Sequence, residues 1–173
     1  INPRGQVPVL VDGEQVITQI VAIVLHIDAL FPGQEFLPRE QRARTRVVEL
    51  LAWMNNTVHP TFTHVFMPQK FTDSPEAQAA LKRYNAEAYR GLLGEIDALA
   101  RKAQAEGRGF LAGDCPGPLD IYSLTLLRWG GYAGIDPTGF DALWAHVQKV
   151  AAQPGPARAI ERERLQLNVY KAA

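Results

Sequence analysis

The chain has 173 residues, and Lys plus Arg equals Asp plus Glu at 18 each, so its formal charge at pH 7 is zero. That balance, with the two signs interleaved, excludes the basic footprint of a nucleic-acid-binding surface, while 47% hydrophobic residues are enough for a globular core. The one cysteine, Cys115, excludes a disulfide framework within the chain and fits a reducing, cytoplasmic setting. The most apolar stretch, 17–30, is too short to span a bilayer and is broken by Thr18, Gln19, His26 and Asp28, so no membrane partner is expected.

Val7 to Val11 is short, apolar and β-branched, and Asp12–Gly13 is a strong two-residue hairpin signal before a second strand at Gln15–Ile17. Thr18 is placed to cap a helix whose apolar positions are Ile20, Val21, Ile23, Val24 and Ile27. A lone two-stranded hairpin is marginal in water, so this unit expects further strands. Residue 1 is Ile rather than Met, and because an initiator Met is normally removed only before a small residue, upstream sequence is expected.

Phe31 to Pro38 is punctuated by Pro and Gly and reads as a linker. Glu40 to about Phe66 reads as one helix with an apolar stripe of Val47, Val48, Leu50, Leu51 and Met54, kinked or restarted at Pro60. The four Arg between Arg39 and Arg46 are expected on its solvated face. Ser74–Pro75–Glu76 opens a long helix that stops at Gly107. Pro118 to Trp129 is apolar enough to be a buried central helix, ended by Gly130–Gly131. Two amphipathic helices, Phe140–Ala152 and Pro156–Arg164, complete the chain, and no internal repeat is visible.

The segment Asn2-Pro3-Arg4-Gly5-Gln6-Val7-Pro8-Val9-Leu10, followed by a hairpin and the Thr18-Gln19-Ile20 helix start, resembles the second half of the thioredoxin-like domain of glutathione transferases, of the bacterial β-class-like kind. Phe110 to Tyr122, with Asp120 in place, resembles the folding signature of that family's helical domain, although Gly117 stands where the family has a capping Ser or Thr. Asp120 is therefore expected to act alone, bonding loop amides near Gly117. The implied fold is mixed α/β plus all-α: the C-terminal part of a thioredoxin-like domain, without its first β-α-β, followed by a glutathione transferase-type helical bundle. The expected division is 1–31 for the partial glutathione-binding domain, 32–38 for the linker and 39–173 for the helical domain.

The resemblance implies a cis bond before Pro8, with Val7 offering its backbone to the cysteinyl part of glutathione. It implies that Gln19 and the amide of Ile20 receive the γ-glutamyl end, where the free amides and dipole of a helix start favour a carboxylate; the usual serine hydroxyl is missing at Ile20. A His near position 59 approaches the glutathione sulfur in that family, and His59 resembles it. Asn55, Asn56 and His59 can share one helix face by spacing, and Asn55 and Asn56 are expected in the substrate pocket with Phe62 and Trp129. Phe62 and Trp129, with Phe66 and Tyr170, can line a hydrophobic co-substrate cleft, or simply pack in the core. The family's thiolate-stabilising Ser, Cys or Tyr is expected upstream of Ile1. His59 and His64, five apart with no joining Cys or acids, do not suggest a metal site, and Cys115 beside Asp114 reads as a loop thiol.

The function so implied is conjugation of the glutathione thiolate to small hydrophobic electrophiles, with glutathione as co-substrate, no metal, and a homodimer joined through the first two long helices. The alternatives are a non-catalytic glutathione transferase-like binding module, and a glutathione-dependent isomerase or dehalogenase of the same fold.

Overall fold

A computed structural model describes residues 1–172; Ala173, the last residue of the expected helical domain, lies outside them. The chain opens with a hairpin in which β1 (Val9–Asp12) pairs antiparallel with β2 (Gln15–Thr18), Val9 opposite Thr18 and Asp12 opposite Gln15. Gly13 turns between them at φ 56°, a conformation that favours glycine. Helix α1 (Ile20–Leu30) follows at once. Thr18 does not cap it. Its backbone belongs to the ladder opposite Val9, and the residue at the helix start is Gln19, at φ 74° and with no side-chain cap bond.

The hairpin unit is tied to the rest through Asp28 on α1, which is 2% exposed. Its Oδ1 accepts from the Leu37 amide at 2.9 Å, and its Oδ2 from Arg44 at 2.7 Å, with Arg39 3.6 Å away. Burial works to raise this carboxyl, but the Arg44 and Leu37 hydrogen bonds and the two guanidinium charges outweigh it and hold the group below 3.8. The expected solvated arginine face is thus only partly solvated: Arg39 and Arg44 turn onto a buried acid that the sequence pattern did not single out.

The long helix expected from Glu40 is two helices joined by a wide turn. Glu40 caps α2 (Gln41–Trp53) by accepting from the Arg42 and Ala43 amides. A π-helical turn, Met54–Val58, leads without a break into α3 (His59–Phe66), and the His59 amide reaches back five residues to the Met54 carbonyl. Pro60, which has no N–H to give, follows the residue that closes this wide turn. The axis is therefore adjusted just before the proline rather than broken at it.

Helix α4 (Pro75–Ala105) starts as expected, with Ser74 Oγ accepting from the Ala77 amide at 3.2 Å, and Gly107 follows its end at φ 70°. Helix α5 (Pro118–Gly130) is the buried central element. Asp120 supplies the reciprocal half of the cap alone, with no hydroxyl at Gly117 to receive a helix amide. It is fully buried and accepts from Gly117 at 2.7 Å and from Leu111 at 2.9 Å. On α4, buried Asp97 accepts from the Leu143 amide at 2.8 Å and so caps the next helix, α6 (Asp141–Ala151), from outside. Helix α7 (Pro154–Glu163) begins two residues earlier than the pattern suggested. The core lies among α2–α6, where Leu51, Met54, Tyr89, Leu93, Leu126 and Leu143 are sealed from solvent. The Tyr89 hydroxyl bonds the Leu126 carbonyl at 2.7 Å, joining α4 to α5.

Candidate functional site

Two groups of candidate residues result. The first lies at the open end of the hairpin. Because Val9 pairs with Thr18, residues Pro8 and Gln19 each stand one step beyond the last rung, and the Val7–Pro8 turn is brought beside the start of α1. The Val7–Pro8 bond is cis. Val7 is 90% exposed, and neither its amide nor its carbonyl has a partner among the described residues. At the helix start, the Gln19 carbonyl accepts from Ile23, so the amides of Ile20, Val21 and Ala22 have no intrahelical acceptor. Free backbone donors and acceptors thus face outward from two adjacent strand ends, in the positive field of a helix N-terminus. Gln19 itself sits at φ 74°, ψ 120°, an uncommon conformation for a residue with a side chain.

The second group is built by the wide turn. The extra residue in the turn changes which face of α3 each side chain occupies. His59, Phe62 and Trp129 meet in one cleft of about 210 Å³, together with Thr63, Phe66, Met67 and Tyr132. The rings are ordered: Phe62 stacks on Trp129 with centroids 5.1 Å apart and on Phe66 at 5.5 Å, while His59 meets Trp129 edge-on at 4.8 Å. Phe62 is buried and Phe66 is exposed, so the stack runs from core to solvent.

His59 Nδ1 lies 2.8 Å from the Tyr122 hydroxyl, and Asn55 Oδ1 lies 3.5 Å from that same oxygen. Asn56 is exposed and bonds only Asn55 among the described residues. Burial pushes the His59 imidazolium below 6.5, leaving the ring neutral at pH 7, and burial raises the Tyr122 phenol to about 12. Tyr122 was not among the candidates read from the sequence. Its signal was its place two residues after Asp120 on the central helix, which ties it to a fixed point of the fold. Tyr170, Asn55 and Asn56, suggested as cleft residues, are not among the residues that line this cleft.

Cys115 is an exposed free thiol. Among the described residues no group of three or more His, Cys, Asp or Glu could hold a metal ion, and no helix is long and apolar enough to cross a membrane.

Residues 1–29 match the family model described as the glutathione S-transferase N-terminal domain. The chain is 31% identical to glutathione S-transferase GST-4.5 of Xanthomonas campestris pv. campestris, over 95% of this chain and 79% of that one. Among solved structures it resembles a sphingomonad glutathione S-transferase complexed with glutathione (TM-score 0.78, 31% identity, 95% of this chain and 77% of that chain). It also resembles a bacterial beta class glutathione S-transferase of Sphingomonas chungbukensis (TM-score 0.78, 28% identity, the same two shares). A thioredoxin-like unit followed by a helical bundle is the fold these relatives define, and the chain belongs to the glutathione S-transferase family.

Proposed function

We propose that the protein is a glutathione transferase that presents the glutathione thiolate to a small hydrophobic electrophile held in the α3–α5 cleft. The observation that carries this reading is the meeting of His59, Phe62 and Trp129 in one aromatic cleft in a chain of this family. Stacked rings give an apolar, planar seat, and a neutral imidazole at its wall supplies a directed donor for a sulfur anion. The outward amides of Ile20 and Val21 and the free backbone of Val7 suit the carboxylate and the peptide groups of the tripeptide. In this reading residues 1–31 bind glutathione, the segment from 39 onward binds the electrophile, and 32–38 is the link between them.

Holding both reactants turns a bimolecular step into a local one. Sulfur attacks the electrophilic carbon, the thioether bond forms as the leaving group departs with its electron pair, and the thiol proton passes to solvent. Calorimetric titration with glutathione tests the reading. Gln19→Ala and His59→Ala are each expected to weaken binding about fivefold, the range for one hydrogen bond. Trp129→Leu is expected to raise the KM for an apolar electrophile while leaving glutathione affinity within about twofold, since it removes aromatic contact alone. Unchanged glutathione binding in both of the first two variants would remove these residues from the site.

We further propose a cytoplasmic homodimer that meets through α2 and α4, where Arg46, Glu49, Leu50, Trp53, Glu95 and Leu99 border a shallow surface depression. Sedimentation equilibrium of the complete protein reads the mass directly, and a monomer refutes the dimer.

A further inference from the structure

The contact between His59 and Tyr122 fixes a proton. A neutral imidazole carries one N–H, and the phenol carries one O–H, so the 2.8 Å contact at Nδ1 has two possible arrangements. In one, the phenol donates to Nδ1 and the imidazole proton sits on Nε2. In the other, Nδ1–H donates to the phenol oxygen, and the phenol must donate elsewhere. Its only other acceptor among the described residues is Asn55 Oδ1 at 3.5 Å, beyond the ordinary O–H···O range. Both arrangements keep the short contact; the first spends the hydroxyl proton in it, whereas the second leaves that half-buried proton on the long contact. Burial keeps both partners in the needed states, His59 neutral and Tyr122 protonated. His59 Nε2 has no hydrogen-bond partner among the described residues and is not sealed in the core, and the ring lines the cleft.

We propose that Tyr122 is a positioning residue: its hydroxyl donates to His59 Nδ1, locks the Nε2–H tautomer, and leaves Nε2–H as a donor toward the cleft. The donor role rests on the glutathione reading above, whereas the tautomer does not. The edge contact with Trp129 holds the ring plane, the wide turn before His59 sets its direction, and Tyr122 sets its polarity. The second ring nitrogen of a histidine is commonly decided by what the first one meets.

The experiment is long-range proton–nitrogen NMR on the ligand-free chain near neutral pH, with His59 assigned by its loss in His59→Gln. The wild type is expected to show the Nε2–H tautomer, and Tyr122→Phe a mixture of the two. Asn55→Ala is expected to keep the wild-type tautomer, because Asn55 does not hold the phenol proton. In kinetics, Tyr122→Phe is expected to lower kcat with an aromatic chloride about fivefold to tenfold, with KM for glutathione within about twofold, as for one misdirected hydrogen bond. Circular dichroism and the thermal midpoint control for folding. A wild-type Nδ1–H tautomer, an unchanged tautomer in Tyr122→Phe, or a flipped one in Asn55→Ala overturns the assignment. A chain that keeps the Nε2–H tautomer but does not bind glutathione overturns the glutathione reading and the donor role, and leaves the Tyr122–His59 geometry standing.

Discussion

The hairpin unit and the helical region contribute to the proposed site in opposite ways. Between Ile1 and Leu30, only Ile23, Val24 and Asp28 are buried, whereas α2–α6 enclose a continuous apolar core. The hairpin offers backbone: the free groups of Val7 and the first amides of α1. The helical region offers side chains: His59, Phe62, Trp129 and, behind them, Tyr122. Backbone groups need only be brought to the right place, which a register and a turn can do whatever the side chain at Ile20. Side chains need the right face of a helix, and here that face is obtained by inserting a wide turn at Met54–Val58.

The contrast predicts unequal costs of damage. The largest belongs to Asp120. Replacement by Ala leaves the buried Leu111 and Gly117 amides without acceptors, a loss of about 3 kcal/mol. All three tryptophans, Trp53, Trp129 and Trp144, lie in the helical region, so urea unfolding followed by their fluorescence reads this loss. A midpoint within error of the wild type would mean that Asp120 is not what holds the loop to α5.

Asp28 sits between the two regions, and its loss separates them. Asp28→Asn is expected to cost about 2 kcal/mol, since its one oxygen can accept from only one of Leu37 and Arg44, its NH2 faces the other, and the buried ion pair loses its negative charge. Hydrogen exchange should quicken across β1, β2 and α1 while the α4 amides keep their protection; uniform quickening would show that the two regions unfold as one. The carboxyl is held below 3.8 in the folded state, so its contribution is complete above that pH and is lost as pH falls through the lowered folded value. The gap between wild type and Asn variant should therefore close in acid.

Much of this division was readable in the sequence, for local reasons. Asp12–Gly13, Ser74–Pro75 and Gly107 announce turns and helix ends through their own backbone preferences, and the structure follows them. That Asp120 would act alone on loop amides near Gly117 was readable too, because its spacing from Gly117 survives. Partners distant in sequence were not readable. Asp28 looked like an interruption of an apolar stretch until Arg44, sixteen positions away, closed over it. Tyr122 lies sixty-three positions from His59, and no periodicity relates them. The wide turn was hidden because Pro60 gave the sequence a ready cause for a kink, while the adjustment falls one turn earlier and has no residue signature.

The smallest expected effect bears most directly on the hairpin's reliance on backbone. Gln19 holds φ 74°, ψ 120° at the junction of β2 and α1, a conformation that costs a residue with a side chain about 1–3 kcal/mol. Gln19→Gly removes that strain but gives the unfolded chain more freedom, worth about 0.5–1 kcal/mol against it. The net expectation runs from about no change to a gain of about 2.5 kcal/mol, read from the urea midpoint. Gln19→Ala keeps the strain and should leave the midpoint near that of the wild type. Both variants lack the amide, so if the side chain holds the γ-glutamyl end, both should weaken glutathione binding by the same factor of about five. A Gly variant that is more stable and binds as well as the wild type would leave the hairpin with backbone contacts alone. Weakening by Gly but not by Ala would show that what glutathione needs at this position is the rigid geometry of a strained residue, not its side chain.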